Sequence, residues 1–215
     1  MYTGITKGLF PVVFLDKTHS LTTYRIQFNR TLLDGLLVSA SVSVDGVCQT
    51  VVAIDGNEVT FQAIEETLSK TTLQDLYEGR LVSIERSARL GDENGGHELA
   101  GHILETGTII GKRPSVNNLT LIVQCSPQSI KYIFEKGFIG LDGSSLTVGR
   151  IDIQKCTFEV YLIPETLRLT SFSKKGPGDK VNIEVDAKAV IITETIKRYV
   201  LPLQKRVEAL EKKSE

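Results

Sequence analysis

"VDGVCQTV" runs from Val44 to Val51, and "LDGSSLTV" runs from Leu141 to Val148, 97 positions later. The second copy has Ser145 where the first has Cys48. Other matches keep the same offset. "TGIT" (Thr3–Thr6) answers "AGHIL" (Ala100–Leu104), with Gly4 opposite Gly101, and Phe61 falls on Phe158. Further on, "EETL" (Glu65–Leu68) matches "PETL" (Pro164–Leu167), and "GRLVSIE" (Gly79–Glu85) matches "GDKVNIE" (Gly178–Glu184). The offset there is 99, so the second copy gains two residues between Phe158 and Thr166. A period near one hundred residues is too long for a solenoid unit and predicts two similar domains in tandem.

Each half reads as β. "LVSASVSV", "TVVAI", "EVTFQAI" and "RLVSIER" are short, rich in β-branched residues and partly alternating. Asp45-Gly46, Asp142-Gly143 and Asp55–Asn57 are turn signals between them. Short strands bounded by turns predict a small closed barrel per half, because closure removes exposed sheet edges. "TLLDGL" (Thr31–Leu36) and "SPQSIKYIFEKG" (Ser126–Gly137) read as short helices, the second capped by Ser126, begun by Pro127 and stopped by Gly137. After Asp186 the apolar residues Ile196, Val200, Leu203, Val207 and Leu210 form a heptad-like stripe. Pro202 predicts a kink there, or a fresh helix with Pro202 near its start. Such a stripe either packs on its own barrel or joins copies of the chain.

The bulk properties narrow the function. Among 215 residues, 41% are hydrophobic and 24% charged, an ordinary globular composition. A net charge of −1 carries no basic excess for nucleic acid or an anionic membrane surface. No apolar run approaches the roughly 18 residues of a membrane span, and "MYTGITKGLF" has no apolar signal-peptide core. Cys48, Cys125 and Cys156 lack disulfide-framework spacing and read as thiols, so the cytoplasm is the expected compartment.

Few residues carry chemistry. Cys48 follows a turn at the start of a strand, where a cysteine serves either as a small hydrophobe or as a reactive group. Cys125 and Cys156 take the first reading. His97 and His102 sit in "GGHELAGHIL", but five positions apart they cannot share one metal on one helix face, and the surrounding glycines argue against a helix. Each is then expected to bond to loop backbone, with no metal site. The glycines at 137, 140 and 143 in "GFIGLDGSS" are not a dinucleotide fingerprint, since no βαβ unit surrounds them. "SKKGPGDK" reads as a turn with solvated charge. Three matched places differ between the copies: Cys48 against Ser145, Ser87 against Asp186, and Ile5 against His102. Unequal chemistry on one scaffold suits a protein that handles two similar ligands unequally.

"MYTGI", "DGVCQTV" with "DGSSLTV", "GGHELAGH", "YIFEKGFIGLDG", "LIPETL" and "VNIEVD" together resemble the riboflavin synthase alpha chain family, from Met1 to about Asp186. The resemblance implies two six-stranded Greek-key-type β-barrels and a C-terminal α-helix holding a homotrimer: residues 1–97, 98–187 and 188–215. It implies a dismutation in which two 6,7-dimethyl-8-ribityllumazine molecules exchange a four-carbon unit, giving riboflavin and a ribitylamino-pyrimidinedione. No metal or external cofactor is implied. Each active site would lie between the first barrel of one subunit and the second barrel of a neighbour. Implied ligand contacts in the first half are Gly4, Ile5 and Thr6, then Cys48, Gln49 and Thr50, then Gln62, Ala63, Ile64, Glu65, Glu66 and Thr67. In the second half they are Gly101, His102 and Ile103, then Lys136, then Ser145, Leu146 and Thr147, then Tyr161, Leu162, Ile163, Pro164, Glu165 and Thr166. The polar residues nearest the reacting atoms would be Ser41, Cys48, His102 and Asp186. His102 is the expected proton mover, and Cys48 and Ser41 would hold or activate the added nucleophile. Gln49 departs from the family, which usually has leucine there, as Leu146 is here; its side chain would face solvent or touch the ligand. Lumazine synthase, supplier of the substrate, is the candidate partner, although no segment reports a docking surface for it. The rival reading is an antenna protein of the same fold that binds lumazine or flavin without turnover. Such proteins lose the "GGHxxxGH" histidines and the "SLTV" threonine, which His97, His102 and Thr147 retain here.

Overall fold

A computed structural model of the chain describes residues 1–211. The first half holds strands β1 (Leu9–Lys17), β2 (Leu21–Gln27), β3 (Ser41–Val44), β4 (Val47–Asp55), β5 (Glu58–Ile64) and β6 (Leu81–Arg86). The second holds β7 (Glu105–Pro114), β8 (Leu119–Gln124), β9 (Phe138–Leu141), β10 (Ser144–Asp152), β11 (Thr157–Leu162) and β12 (Lys180–Val185). The first closes in the order β1-β2-β5-β4-β3-β6. The second closes as β10-β11-β8-β7-β12-β9, the same circuit entered at another strand. All pairings are antiparallel, and both tandem barrels are therefore six-stranded, as the resemblance implied.

The repeated Asp-Gly turns close matching hairpins. Asp45 and Gly46 have φ of 46° and 83°, and Asp142 and Gly143 have 44° and 79°. Two positive φ values in a two-residue turn match the twist of the flanking strands. The two turns also meet: a Cβ on Gly46 would lie 2.5 Å from the backbone nitrogen of Gly143. Around this contact the barrels share a buried polar staple. Asn182 donates to the carbonyl of Asp45 at 2.7 Å and to Thr72 Oγ1 at 3.0 Å, and accepts from the Thr72 N–H at 2.8 Å. Asp45 pairs with Arg80 and Asp142 with Lys175. Lys175, expected as solvated turn charge, instead reaches this buried acid.

Other local expectations shift. "LVSASVSV" supplies only β3; Leu37–Ala40 turns, with Ser39 at φ 72°. The first expected helix is α1 (Arg30–Leu33), capped by Asn29. Helix α3 (Pro127–Ile130) is capped by Ser126 with Pro127 in its first turn, but stops at Ile130 rather than Gly137. Successive turns follow, and Lys136 (φ 66°) takes the left-handed position beside Gly137. Helices α2 (Glu65–Lys70) and α4 (Pro164–Leu169) follow β5 and β11. The tail is α5 (Ala187–Thr195), a π-helical turn over Ile196–Val200, and α6 (Leu201–Glu211). Pro202 is the second residue of α6. Its ring crowds the carbonyl four residues back, and the wide turn relieves that. Ile196, Val200, Leu203 and Val207 are exposed, whereas the Leu210 side chain and residues 212–215 lie outside the described residues. No helix of the described residues is long and apolar enough to cross a membrane.

The Gln49 side chain does not face solvent. It points into the first barrel, 5% exposed, and its Oε1 accepts from the Tyr24 hydroxyl at 2.9 Å. Its Nε2 donates to the Cys48 carbonyl at 2.9 Å. The equivalents in the second barrel are Leu121 and Leu146, both apolar and buried. One core thus exchanges a leucine pair for a hydrogen-bonded pair. Gln49→Leu alone strands a buried hydroxyl and is expected to destabilise the chain by about 1–3 kcal/mol. Adding Tyr24→Phe should recover most of it in urea unfolding; no recovery would mean the pair is not coupled.

Candidate active site

Strand register decides which side chains leave the barrels. Val42 and Val44 point inward from β3, and Gln49 and Val51 from β4. Their alternates therefore face out. Ser41 stands opposite Thr50 and Ser43 opposite Cys48, so all four share one outer face. On the second barrel Phe138 opposes Thr147 and Gly140 opposes Ser145. The matched faces thus carry Ser, Ser, Cys, Thr in one barrel and Phe, Gly, Ser, Thr in the other.

The segment preceding each barrel crosses to the other barrel's face. Gly4 accepts from the Ser145 N–H at 2.9 Å, and Gly101 accepts from the Cys48 N–H at 2.9 Å. The sequence groups Gly4–Thr6 with Cys48, whereas the structure sets Gly4 against Ser145 and Gly101 against Cys48; Ile103 packs on the first core. A buried glutamate anchors each segment. Glu85 on β6 accepts from Thr3 N, Thr3 Oγ1 and Gly4 N at 2.7, 2.7 and 3.0 Å. Glu184 on β12 accepts from Ala100 N at 2.6 Å and Gly101 N at 3.0 Å. Burial pushes both carboxyls above the usual range, against the pull of those donors.

A cleft of about 860 Å³ opens where Gly101 meets Cys48. Cys48, His97, His102, Phe138, Glu184 and Asp186 line it, so three of the four expected reactive residues converge. Ser41 is not among the lining; it lies on the first barrel's face beside Thr50. The related hollow at Thr3, Ile5 and Glu85 is smaller, about 480 Å³, and has no histidine. His97 is buried, stacks on Phe138 with centroids 4.9 Å apart, and places Nδ1 2.6 Å from Ser145 Oγ. Its partner is therefore a side chain, not loop backbone. Burial lowers its pKa, which favours neutral imidazole. His102 is exposed at the cleft, on the segment Glu184 holds. Asp186 caps α5, accepting from Lys188 N at 2.8 Å.

The remaining expected contacts are divided. Thr50, Gln62 and Ile64 stand outward on the first face, and Ala63 points into the core. Glu65, Glu66 and Thr67 begin α2. Thr147, Tyr161 and Ile163 are exposed on the second face, Pro164, Glu165 and Thr166 begin α4, and Lys136 is exposed in the turn before β9. Gln49, Leu146 and Leu162 are buried inside the barrels and offer a ligand only backbone. Thr6 is buried, bonded to the Ile84 carbonyl at 3.2 Å, and Ile5 is exposed. Sequence reading missed Glu85, His97 and Glu184, and Tyr2, whose hydroxyl lies 3.2 Å from Cys48 Sγ. The two glutamates carried a signal, as the matching last letters of "GRLVSIE" and "GDKVNIE". Cys125 is buried, its thiol pushed up to about 12, and Cys156 is half-buried in a turn. Among the described residues no group of three or more His, Cys, Asp or Glu could hold a metal ion.

Residues 3–87 and 100–186 each match the lumazine binding domain. The riboflavin synthase of Escherichia coli strain K12 is 43% identical over 202 residues, 93% of each chain. The chain belongs to the riboflavin synthase family of lumazine-binding domains. A riboflavin synthase of Chlamydia pneumoniae is 36% identical over 93% of this chain and 97% of that one. The crystal structure of LumP complexed with riboflavin superposes with TM-score 0.80 at 23% identity, covering 86% of this chain and all of that one. LumP complexed with 6,7-dimethyl-8-(1'-D-ribityl) lumazine gives 0.78 at 22% identity, covering 86% of this chain and 99% of that one. These likenesses show that the tandem-barrel fold is shared.

His97 makes the cleft sensitive to pH. Its folded pKa lies below the ordinary 6.5, so the unfolded chain binds a proton first as pH falls. Its contribution is complete above about 6.5 and declines as pH drops toward the folded value. In urea unfolding, the gap between the parent and His97→Gln should shrink from about pH 7.5 to 5.5; a constant gap would place the titration elsewhere.

Proposed function

We propose that this chain is a riboflavin synthase. It transfers a four-carbon unit between two molecules of 6,7-dimethyl-8-ribityllumazine, giving riboflavin and 5-amino-6-ribitylamino-pyrimidinedione. One observation carries this: two faces related by duplication carry unequal chemistry. The matched residues meet different partners: the Tyr2 hydroxyl bonds to Cys48 Sγ, and His97 bonds to Ser145 Oγ. Two identical substrates that play donor and acceptor need that inequality.

His102 takes the proton from the acidic 7-methyl group of one lumazine, and Cys48 and Ser41 hold or activate the nucleophile added to the other. Asp186 lies in the same cleft and acts on charge there. Outward Thr50, Thr147, Gln62 and the α2 and α4 threonines, Thr67 and Thr166, supply hydrogen bonds to the ring and ribityl chain. Holding two rings face to face supplies proximity. Both faces are open in the single chain, which supports closure by a neighbouring copy. The tail, residues 188–215, whose Ile196, Val200, Leu203 and Val207 are exposed, would hold a homotrimer in which the first barrel of one copy meets the second barrel of another. A cytoplasmic setting and supply of substrate by lumazine synthase fit this reading.

Mixing the protein with 6,7-dimethyl-8-ribityllumazine and following absorbance tests it. Riboflavin should form; a spectral shift without turnover would indicate an antenna instead. His102→Gln should lower kcat by about 10²-fold, and Cys48→Ser should slow turnover; full rate in both would remove these roles. A chain ending at residue 187 should sediment as a monomer and lose most turnover; an intact trimer would place assembly outside the tail.

A further inference from the structure

Tyr2 is 2% exposed, and its backbone forms a two-way bridge with Leu99, at 2.7 and 3.0 Å. Leu99 is also its counterpart in the repeat, so the two residues face each other across the relation that links the halves. Their side chains differ. Leu99 lies over Gly140 on the second face. Tyr2 directs its hydroxyl to the first face, 3.2 Å from Cys48 Sγ. Phenylalanine would fill the same space, so packing alone does not call for the oxygen.

We propose that Tyr2 is a positioning residue for Cys48, tying the sulfur by an O–H···S hydrogen bond so that its reactive side faces the cleft. This rests on the reading of Cys48 as a functional group. A buried hydroxyl requires a partner, and the bond found for this one is to sulfur. Burial holds the phenol above its ordinary pKa, so it stays a donor through the working range. The sulfur therefore accepts on its Tyr2 side, and its own proton or remaining lone pairs are left for the cleft. The backbone N–H of Cys48 is already committed to Gly101 at 2.9 Å. Cys48 is thus fixed twice, by the second half's segment at its backbone and by the N-terminal segment at its sulfur. Ser145 has no matching donor from Leu99 and is held by His97 instead.

The test uses the full chain with Tyr2→Phe, Cys48→Ala and both together. Iodoacetamide alkylation of Cys48, read by peptide mass mapping with Cys156 as internal control, reports the sulfur directly. Losing the hydroxyl frees the sulfur to turn away from the cleft. Tyr2→Phe should slow alkylation of Cys48 roughly 2- to 10-fold and leave Cys156 unchanged. It should lower kcat by a similar factor with KM nearly constant, and have no further effect in the Cys48→Ala background. Unchanged alkylation, or an equal kcat loss in both backgrounds, overturns the proposal and leaves Tyr2 as packing. Full turnover by Cys48→Ala alone overturns the catalytic reading of Cys48, while the alkylation rate still decides what Tyr2 does.

Discussion

Two reciprocal backbone hydrogen bonds organise this molecule: Ser145 N–H to Gly4 and Cys48 N–H to Gly101, both 2.9 Å. Each lets the segment before one barrel lie on the face of the other. Both glycines sit at positive φ, 75° and 79°, and a Cβ there would come within 2.5 Å of Ser145 and 2.7 Å of Cys48. Only a residue without a side chain permits both the conformation and the approach. Behind each, a buried glutamate gathers the segment's N–H groups, which would otherwise lack partners. The barrels are consequently joined through the positions where the chemistry sits.

That arrangement couples symmetry to asymmetry. Contacts that gather main-chain N–H groups repeat almost bond for bond: the carboxylates of Glu85 and Glu184, those of Asp45 and Asp142, and the carbonyls of Gly4 and Gly101. Side chains aimed at the faces do not. His97 comes from the linker, Tyr2 from the N-terminus, and Asp186 from the start of a helix that only the second half has. The tail and the linker, which occur once, break the equivalence of two copies that the backbone preserves.

Much of this was legible as text. The duplication, the Asp-Gly turns and the β periodicity sufficed for two barrels, because turn chemistry and alternation are local properties. The "DGVCQTV" and "DGSSLTV" pair marks the two faces in the sequence itself. The misreadings had physical causes. Gln49 looked like a departure at a ligand position, yet strand alternation turns it inward to Tyr24, a partner 25 residues away. His97 looked like a loop histidine because its partner Ser145 lies 48 residues on. Lys175 looked solvated because Asp142 belongs to a distant turn.

The repeat, the barrels, the hairpin turns and the list of residues able to do chemistry can be read along the chain, since each depends on neighbouring residues. Tertiary structure decided which of them meet. It crossed the leading segments so that Gly101 lies on Cys48 and Gly4 on Ser145. It gathered Cys48, His102 and Asp186 into one cleft and left Ser41 out of its lining. Those pairings join residues about fifty to one hundred and forty positions apart. They are set by how two closed barrels bury their shared polar groups, a constraint that no local pattern encodes.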